Sequence, residues 1–216
     1  MIVKGIIFGS LHSYDDLRLI LESKELGAPE VKVNKIDIPG ADSALDLTDF
    51  FGEPKYDDVK HKFQFTSIEP QETFLTQFSA IKNAIHGKKV RIILDDDPSF
   101  FYMGRCFVSS FTNAKGIGTV SVECECEPYK YKLEKTVVSK AVNGTATVNL
   151  TNGRKRAVPE VSIDTTGSLN IVFQGNVWDL GKGSFTLPEL ELVEGANNVT
   201  VTGVGNITFT WQEGDL

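Results

Sequence analysis

Cysteine, histidine and long hydrophobic runs are all scarce in this chain. Its 216 residues include three cysteines and three histidines. Three cysteines without repeated spacing do not make the disulfide framework of a small secreted domain. No stretch approaches the roughly 20 apolar residues that span a bilayer. The apolar start, MIVKGIIFGS, is too short for a signal peptide and is interrupted by Lys4 and Gly5. We therefore expect a protein that is made and first folds in a cytoplasm.

An excess of positive charge is lacking too. The chain has 22 Lys and Arg against 29 Asp and Glu, a net charge of -7. A general nucleic-acid binder usually has a basic face, so the charge argues against that class. Apolar residues make up 41% and charged residues 24%, which is ordinary for a globular protein. The length suffices for one large or two ordinary domains.

The composition changes near residue 128. Residues 1–128 contain all three cysteines and 11 of the 14 phenylalanines, whereas the remainder is rich in Gly, Thr, Asn and Val. Pro128 cannot donate to a strand ladder, so it suits a strand exit. We predict an N-terminal domain over residues 1–130 and a C-terminal domain over residues 131–216.

The first strands of the chain are predicted from short apolar runs. Ile2-Val3 and Ile6-Ile7-Phe8 indicate one strand. Residues 17–21 and 31–38 resemble the two strands of a hairpin with an irregular loop. A helix over Ser13–Lys24 competes with the first of these, because that segment has good helix formers; strand is favoured. Residues 59–65 alternate apolar and polar side chains and give the clearest strand pattern.

One helix is predicted, over residues 71–86. Apolar residues at spacings of four, three and four form its stripe, Pro70 suits its start and Gly87 its end. A strand at 90–94, a turn at Asp95-Asp96-Asp97-Pro98 and a returning strand at 100–108 follow. The strand at 120–127 directs its even positions to a core. The helix stripe consists of Phe74, Phe78, Ile81 and Ile85.

The second half reads as all-β. Short alternating runs recur at roughly 8–12 residues, with turns such as Thr166-Gly167, Gly175-Asn176 and Gly203-Val204-Gly205 between them. This spacing is typical of a β-sandwich. The fold class predicted for the chain is therefore mainly β (α+β), with one helix.

Each group of potentially reactive residues has a simpler structural interpretation. Cys106, Cys124 and Cys126 are conceivable zinc ligands, but structural zinc sites place C-x(2-4)-C on a turn. Buried inert thiols are favoured. The acidic turn at residues 95–97 lacks the ligand spacing of a calcium loop and is favoured as a solvated hairpin tip. The histidines, at positions 12, 61 and 86, fit no catalytic spacing.

The remaining candidates are also weak. Arg154-Lys155-Arg156 indicates a solvated hairpin end, with contact to an acidic neighbour in an assembly as the alternative. Trp178 is the better of two tryptophans as a sugar-stacking platform, although aromatics usually pack in cores. Gly203-Val204-Gly205-Asn206 lacks a following helix and is no nucleotide loop. The four Asn-x-Ser/Thr sequons, at Asn143, Asn149, Asn198 and Asn206, are interpreted as by-products of a Thr- and Asn-rich β domain.

Five segments together resemble the distal tail protein (Dit) family of siphophages and related prophages. Each segment is weak alone, but they occur in order over nearly the whole chain. They are Asp37-Ile38-Pro39-Gly40 with Leu45-Asp46-Leu47-Thr48; Ala84-Ile85-His86-Gly87-Lys88; Phe101-Tyr102-Met103-Gly104-Arg105; Cys126-Glu127-Pro128-Tyr129-Lys130; and Glu194-Gly195-Ala196-Asn197-Asn198 with Phe209-Thr210-Trp211-Gln212-Glu213-Gly214.

The resemblance implies an N-terminal split-barrel-like domain with one helix, which forms a ring, and a C-terminal galectin-like β-sandwich. It further implies a virion structural protein of the phage tail tip or baseplate. As a hexamer, this would join the tail tube to the tail-associated lysin or receptor-binding proteins and leave a channel for DNA. It transfers no catalytic, cofactor-binding or metal-binding residue, so we expect no enzyme and no cofactor. A carbohydrate-binding module for host adhesion is the alternative.

Two expectations about the assembly follow from the residues themselves. We expect subunit contacts in the Phe-rich first half, where Lys60-Lys62 and Lys88-Lys89 face many carboxylates. We also expect the negative charge to line a lumen that DNA passes without binding.

Overall fold

A computed structural model describes residues 4–50 and 52–216, so part of the predicted first strand, Ile2-Val3, lies outside the described residues. The chain divides into two compact units, one ending at Lys130 and the other spanning Tyr131–Leu216. The described residues are mostly strand with one α-helix, which confirms the predicted mainly β (α+β) fold.

The first unit is built on a seven-strand path of hydrogen-bonded neighbours. Their order is β2-β1-β7-β8-β9-β6-β3, while β4 and β5 pair with each other separately. The strands are β1 (Ile6–Phe8), β2 (Leu11–His12), β3 (Leu19–Leu26), β4 (Lys35–Ile36), β5 (Leu45–Asp46), β6 (Val59–Ser67), β7 (Lys89–Leu94), β8 (Phe100–Ala114) and β9 (Ile117–Lys132), the last of which continues into the second unit.

This sheet curls until its two ends approach each other. The edge strands β2 and β3 are joined by residues 13–18 alone, and the backbone N–H of Leu19 donates to the carbonyl oxygen of Ser13 at 2.8 Å. Lys24 on β3 also pairs with Asp96 in the turn after β7. Contacts between both ends of one sheet give a barrel-like shape with an incomplete seam.

The interior of the curled sheet is apolar and aromatic. Phe8 packs edge-on against Phe63 and Phe65 at centroid distances of 6.1 and 6.2 Å. The even positions of β9 face the same core, as the alternation predicted, because successive strand side chains point to opposite faces. Those four buried positions are Val120, Val122, Cys124 and Cys126.

The predicted helix is present, with a slightly later start. A 3₁₀ turn at Gln71–Thr73 leads into α1 (Phe74–Ile85). Phe74 and Phe78 both contact Phe111 on β8, at centroid distances of 5.9 and 5.1 Å. Gly87 follows with φ +75°, a left-handed conformation that glycine adopts without a steric cost. The apolar stripe thus fastens α1 to the barrel wall.

The hairpin predicted from residues 17–21 and 31–38 is wrong. β3 pairs instead with β6, with Leu19 opposite Ser67 and Leu26 opposite His61. Residues 31–38 pair instead with residues of the segment that leads to β6, namely Leu45, Asp46 and Tyr56. Each run had a credible strand pattern, but such a pattern does not specify a partner strand. The competing helix over residues 13–24 is likewise absent, and β3 occupies its second half.

The second unit consists of long, paired strands with shorter strands beside them. The neighbour order is β13-β12-β15-β11-β14, and β10 pairs with the other side of β15. The strands are β10 (Thr136–Asn152), β11 (Glu160–Asp164), β12 (Leu169–Phe173), β13 (Asn176–Leu180), β14 (Gly183–Thr186), β15 (Gly195–Trp211) and β16 (Gly214–Asp215).

Strand β15 crosses the predicted turn at 203–205 without a break, so the expectation of two separate strands there is wrong. Its first part pairs with β12 and its second part with β11, on the same side. Gly203 has φ +137°, and its ladder partner Gly144 has φ +97°. These glycines let the ribbon bend, so that both halves turn one face inward.

The bent sheet encloses a second core. The odd positions of β15 are buried on both sides of the bend, from Val199 to Trp211. The Trp211 indole nitrogen Nε1 donates to Asn152 Oδ1 at 3.1 Å, which satisfies both buried polar groups. Two facing sheet halves over a shared core give the sandwich arrangement that the strand spacing predicted.

Candidate functional site

The three cysteines lie together inside the first unit as buried, free thiols. Cys106 on β8 contacts Cys124 on β9, with 3.1 Å between the sulfur atoms. Within residues 4–50 and 52–216, no group of three or more His, Cys, Asp or Glu side chains is arranged to hold a metal ion. Burial raises the pKa of the Cys126 thiol to about 12. The Cys126 thiol is therefore protonated at neutral pH.

The carboxylates of the acidic turn point at three different protein groups. Asp95 accepts from the backbone N–H of Gly5 at 2.6 Å, Asp96 pairs with Lys24, and Asp97 lies 3.0 Å from Lys130 Nζ. The hydrogen bond from Lys24 lowers the pKa of Asp96. A hard cation requires several oxygens that converge on one point. This turn instead fastens neighbouring strands.

Two of the histidines act as structural hydrogen-bonding groups. His12 lies between Asp15 and Asp95, 3.1 Å and 3.0 Å from their carboxylate oxygens. His86 follows α1, and its Nδ1 accepts from the backbone N–H of Val108 at 3.0 Å. This hydrogen bond joins the end of α1 to β8.

His61 is different, because it is buried and neither of its ring nitrogens forms a hydrogen bond of normal geometry among the described residues. Only 1% of the residue is exposed. Its ring meets Tyr102 edge-on, with 4.5 Å between centroids. Burial lowers the pKa of His61, which keeps the imidazole neutral. An unsatisfied buried group of this kind reduces stability.

His61→Phe is expected to raise the free energy of unfolding of the first unit by about 1 to 2 kcal/mol, because it removes two unsatisfied nitrogens and retains the aromatic contact. The folded-state pKa of His61 lies below its ordinary value of about 6.5, so the folded state binds fewer protons than the unfolded state below that pH. Wild-type stability should fall as the pH drops from about 6.5 toward the lowered pKa. The variant should lack this part of the loss.

Urea unfolding followed by thiol alkylation measures this effect, because all three cysteines lie in the first unit. His86→Phe is the matched control. It removes an acceptor from the Val108 N–H and should not stabilise the protein. Equal or lower stability of His61→Phe across pH 5 to 8 would contradict the prediction.

The basic run and the tryptophans all contact other residues of the second unit. Arg154 contacts Glu194 at 3.1 Å and Arg156 contacts Glu191 at 2.8 Å. Lys155 Nζ donates to the Tyr131 hydroxyl at 2.7 Å. Both tryptophans contribute to the second core. Trp211 is one of its buried members, and the partly buried Trp178 packs against this core. The basic run therefore bridges neighbouring segments of the second unit.

The predicted lysine stripes also meet carboxylates of their own unit. Lys60 lies 3.3 Å from Glu123, and Lys62 lies 3.6 Å from Glu25. Lys89 donates to Glu127 at 2.7 Å. Such pairs on a sheet surface contribute little to stability. They balance charge along the outside of the barrel.

A groove of about 410 Å³ runs between α1 and the segment before β3. Its walls include Leu17, Ala80 and Ala84, with the Arg18–Glu69 ion pair at one side. None of the described histidines or cysteines lines it.

The surface feature that stands out is a largely exposed segment, residues 30–50 and 52–57, which we call the arm. Its two sides pair through β4 and β5 and through the bridge between Val31 and Tyr56. Gly40, at φ +86°, closes its tip, where the Ala41 N–H donates to the Ile38 carbonyl. Six large apolar side chains of the arm are exposed: Val31, Val33, Ile36, Ile38, Leu45 and Phe50.

These exposed side chains differ from scattered surface hydrophobics because they share one short segment. Ile36 and Leu45 also lie opposite each other on the paired strands β4 and β5. Exposed apolar side chains that cluster in this way are typical of interaction sites. The arm includes the Pro-Gly segment of the sequence resemblance, at Ile38-Pro39-Gly40.

Comparison with known proteins shows what the fold resembles. No protein-family model and no curated protein sequence matches the chain. The crystal structure of the SPP1 Dit (gp 19.1) protein does match, with a TM-score of 0.75, 14% sequence identity and coverage of 100% of both chains. That protein is described as a paradigm of the hub adsorption apparatus in phages that infect Gram-positive bacteria.

The chain has the fold of a phage distal tail protein. The Dit fold accounts for both units, since the match extends over the entire chain. It confirms the fold that the five sequence segments implied. At 14% identity the similarity lies mainly in the arrangement of the backbone. In the described residues, no helix is long and apolar enough to cross a membrane.

Proposed function

We propose that this protein is a structural component of a phage tail tip or baseplate. Six copies form a ring that connects the tail tube to the tail-associated lysin or receptor-binding proteins. The ring leaves a channel through which DNA passes. The observation that supports this most is the full-length match to SPP1 Dit at a TM-score of 0.75. On this proposal the protein is made in the host cytoplasm and ends in the virion, where it acts without catalysis.

The arm supports the ring and indicates how subunits meet. A ring requires a heterologous interface, in which one surface of each subunit contacts a different surface of the next. A segment with exposed apolar side chains suits such a contact, because burying those side chains on a second copy removes them from water. We place ring formation in the first unit, over residues 1–130, and leave the galectin-like second unit for contacts outside the ring.

The charge of the chain suits a channel for DNA. Each copy has a net charge of -7, and most of the excess acidic residues lie in residues 1–128. Carboxylates that face a lumen repel the phosphate backbone, so DNA passes without binding. The only partners proposed are therefore other copies of this chain and neighbouring tail proteins, with DNA as a passing molecule.

The mass of the purified protein in solution tests the ring. Native mass spectrometry or analytical ultracentrifugation should show a species of six 23.8 kDa chains, and negative-stain images should show sixfold rings with a central hole. A protein that stays a monomer up to high concentration, even when mixed with its tail-tube neighbour, would rule the ring out.

Ile36→Asp tests the contribution of the arm. The Ile36 side chain is 50% exposed, so folding should tolerate the substitution. A carboxylate placed in an apolar interface should abolish assembly. Val137→Asp, at a similarly exposed position in the second unit, is the matched control and should still form the ring. Sedimentation and the melting temperature are measured together. Rings of unchanged stability in Ile36→Asp would exclude this part of the arm from the interface.

A further inference from the structure

The contact between Cys106 and Cys124 has a geometry that the other cysteine lacks. The two sulfur atoms are 3.1 Å apart inside the barrel, and both residues are fully buried. The two residues lie on neighbouring strands, β8 and β9. Nothing in the proposed tail-tip function requires two thiols to meet.

The strand register places these residues directly opposite each other. A Cβ atom added to Gly104 would collide with Cys126 Sγ and lie 3.1 Å from Cys126 Cα, so Gly104 is opposite Cys126. Two residues further along antiparallel strands, Cys106 must then be opposite Cys124. Ser109, whose hydroxyl donates to the Ser121 carbonyl at 3.1 Å, agrees with the same register.

The backbone hydrogen bonds show which kind of pair this is. The N–H of Cys106 donates to Lys88 at 3.0 Å, and its carbonyl accepts from Gly87 at 2.7 Å, so both groups point away from β9. Cys106 and Cys124 are therefore a non-hydrogen-bonded pair, the class whose Cα atoms approach to about 4.5 Å. That separation lies within the range of about 4.4 to 6.8 Å that a disulfide spans.

Cys126 cannot replace either partner. Opposite it is Gly104, which has no side chain. Cys124 and Cys126 lie two residues apart on one strand, roughly 6.6 Å between Cα atoms with parallel Cβ directions. A disulfide requires Cβ atoms about 3.5 to 4.5 Å apart. Cys126 thus provides an internal control of the same residue type, similarly buried.

We propose that Cys106 and Cys124 form a latent disulfide, which a two-electron oxidant closes within the native protein. The two S–H bonds break and one S–S bond forms. Two electrons and two protons pass to the oxidant, which is a small disulfide reduced to two thiols or a diazene reduced to a hydrazine. In a reducing cytoplasm the pair stays reduced, and in an oxidising medium it closes.

Closure is slow, for two physical reasons. The thiolate is the reacting form, and the hydrogen bond with Cys106 together with burial raises the pKa of Cys124. An oxidant also reaches the pair only when the barrel opens locally. The reaction should therefore take far longer than oxidation of an exposed thiol and should quicken as the pH rises.

Counting thiols tests the proposal. The intact chain is treated with diamide, or with oxidised glutathione, in native buffer. It is then denatured, alkylated and measured by mass spectrometry. The expected result is a fall from three alkylated cysteines to one, with a peptide that joins residues 106 and 124 and separates on reduction. Three alkylated cysteines after prolonged oxidation of folded protein would overturn the proposal, as would a bond to Cys126 or between chains.

Three variants sharpen the test. Cys126→Ala should still lose two thiols on oxidation and leave none. Cys106→Ala and Cys124→Ala should each keep both remaining thiols. Because an alanine in the core can impair folding, circular dichroism of each reduced variant is compared with wild type first. A disulfide that forms equally in Cys106→Ala would show that the cross-strand geometry is not its cause.

Discussion

Gly203→Ala is expected to destabilise the second unit by about 3 kcal/mol. The residue has φ +137°, where an L side chain is strained. An added Cβ would also lie 2.7 Å from Leu169 Cδ2 and 2.9 Å from the Ser168 carbonyl oxygen. Because the second of these is backbone, the contact cannot be relieved by a rotamer change. The bend in β15, which turns both halves of the sheet inward, should therefore weaken.

Gly144→Ala is the control for this prediction. Gly144 is the ladder partner of Gly203 and has φ +97°, but an added Cβ would meet no atom within 4 Å. Only backbone strain remains, and we expect a loss of about 1 kcal/mol. Denaturant unfolding followed by tryptophan fluorescence isolates the second unit, because Trp178 and Trp211 are the two tryptophans of the chain. Equal losses in both variants would mean that the close approach to Leu169 has no energetic consequence.

Asn197→Ala is expected to lower the free energy of unfolding of the second unit by about 3 kcal/mol. The side chain is buried, with 3% exposed. Its Oδ1 accepts from the Val193 N–H at 3.0 Å, and its Nδ2 lies within 3.1 Å of the carbonyl oxygens of Val193, Leu150 and Gly195. Truncation leaves these backbone groups buried without their partner, and a small cavity adds to the loss.

The neighbouring Asn198 supplies the matched control. It is exposed and accepts a single hydrogen bond from Asn149 at 3.2 Å. Asn198→Ala should change the free energy of unfolding by no more than about 0.5 kcal/mol. The same fluorescence measurement serves both variants. A loss in Asn198→Ala as large as that in Asn197→Ala would contradict the importance of burial and hydrogen bonding at residue 197.

The contrast between these two asparagines shows what residue type alone conceals. The Gly195-Ala196-Asn197 segment has the composition of a turn, and Asn198 begins an Asn-Val-Thr sequon. Both are consistent with an exposed loop. The structure instead places the segment at the start of β15, where every second residue turns inward. The position of Asn197 in that alternation was the available signal, since Val199 and Val201 share its parity.

His61 shows the same limit from the other direction. Its alternation with Phe63 and Phe65 correctly placed it on the core face of β6. The pattern cannot show whether a hydrogen-bonding partner lies opposite, because the partner would come from another strand. The cysteines show the same limit. Alternation predicted that Cys124 and Cys126 are buried, but only the pairing of β8 with β9 brings Cys106 against one of them.

The sequence by itself determined the local elements. Apolar spacing of two residues specified the strands and spacing of three and four specified α1. Glycine and proline specified turns such as those at Asp95-Asp96-Asp97-Pro98 and Gly175-Asn176, because each of these signals depends on neighbouring residues along the chain. Tertiary structure decided the partners. It paired β3 with β6, continued β15 as one strand through Gly203 and Gly205, and left the arm exposed. Those choices depend on contacts between distant residues, which no local pattern contains.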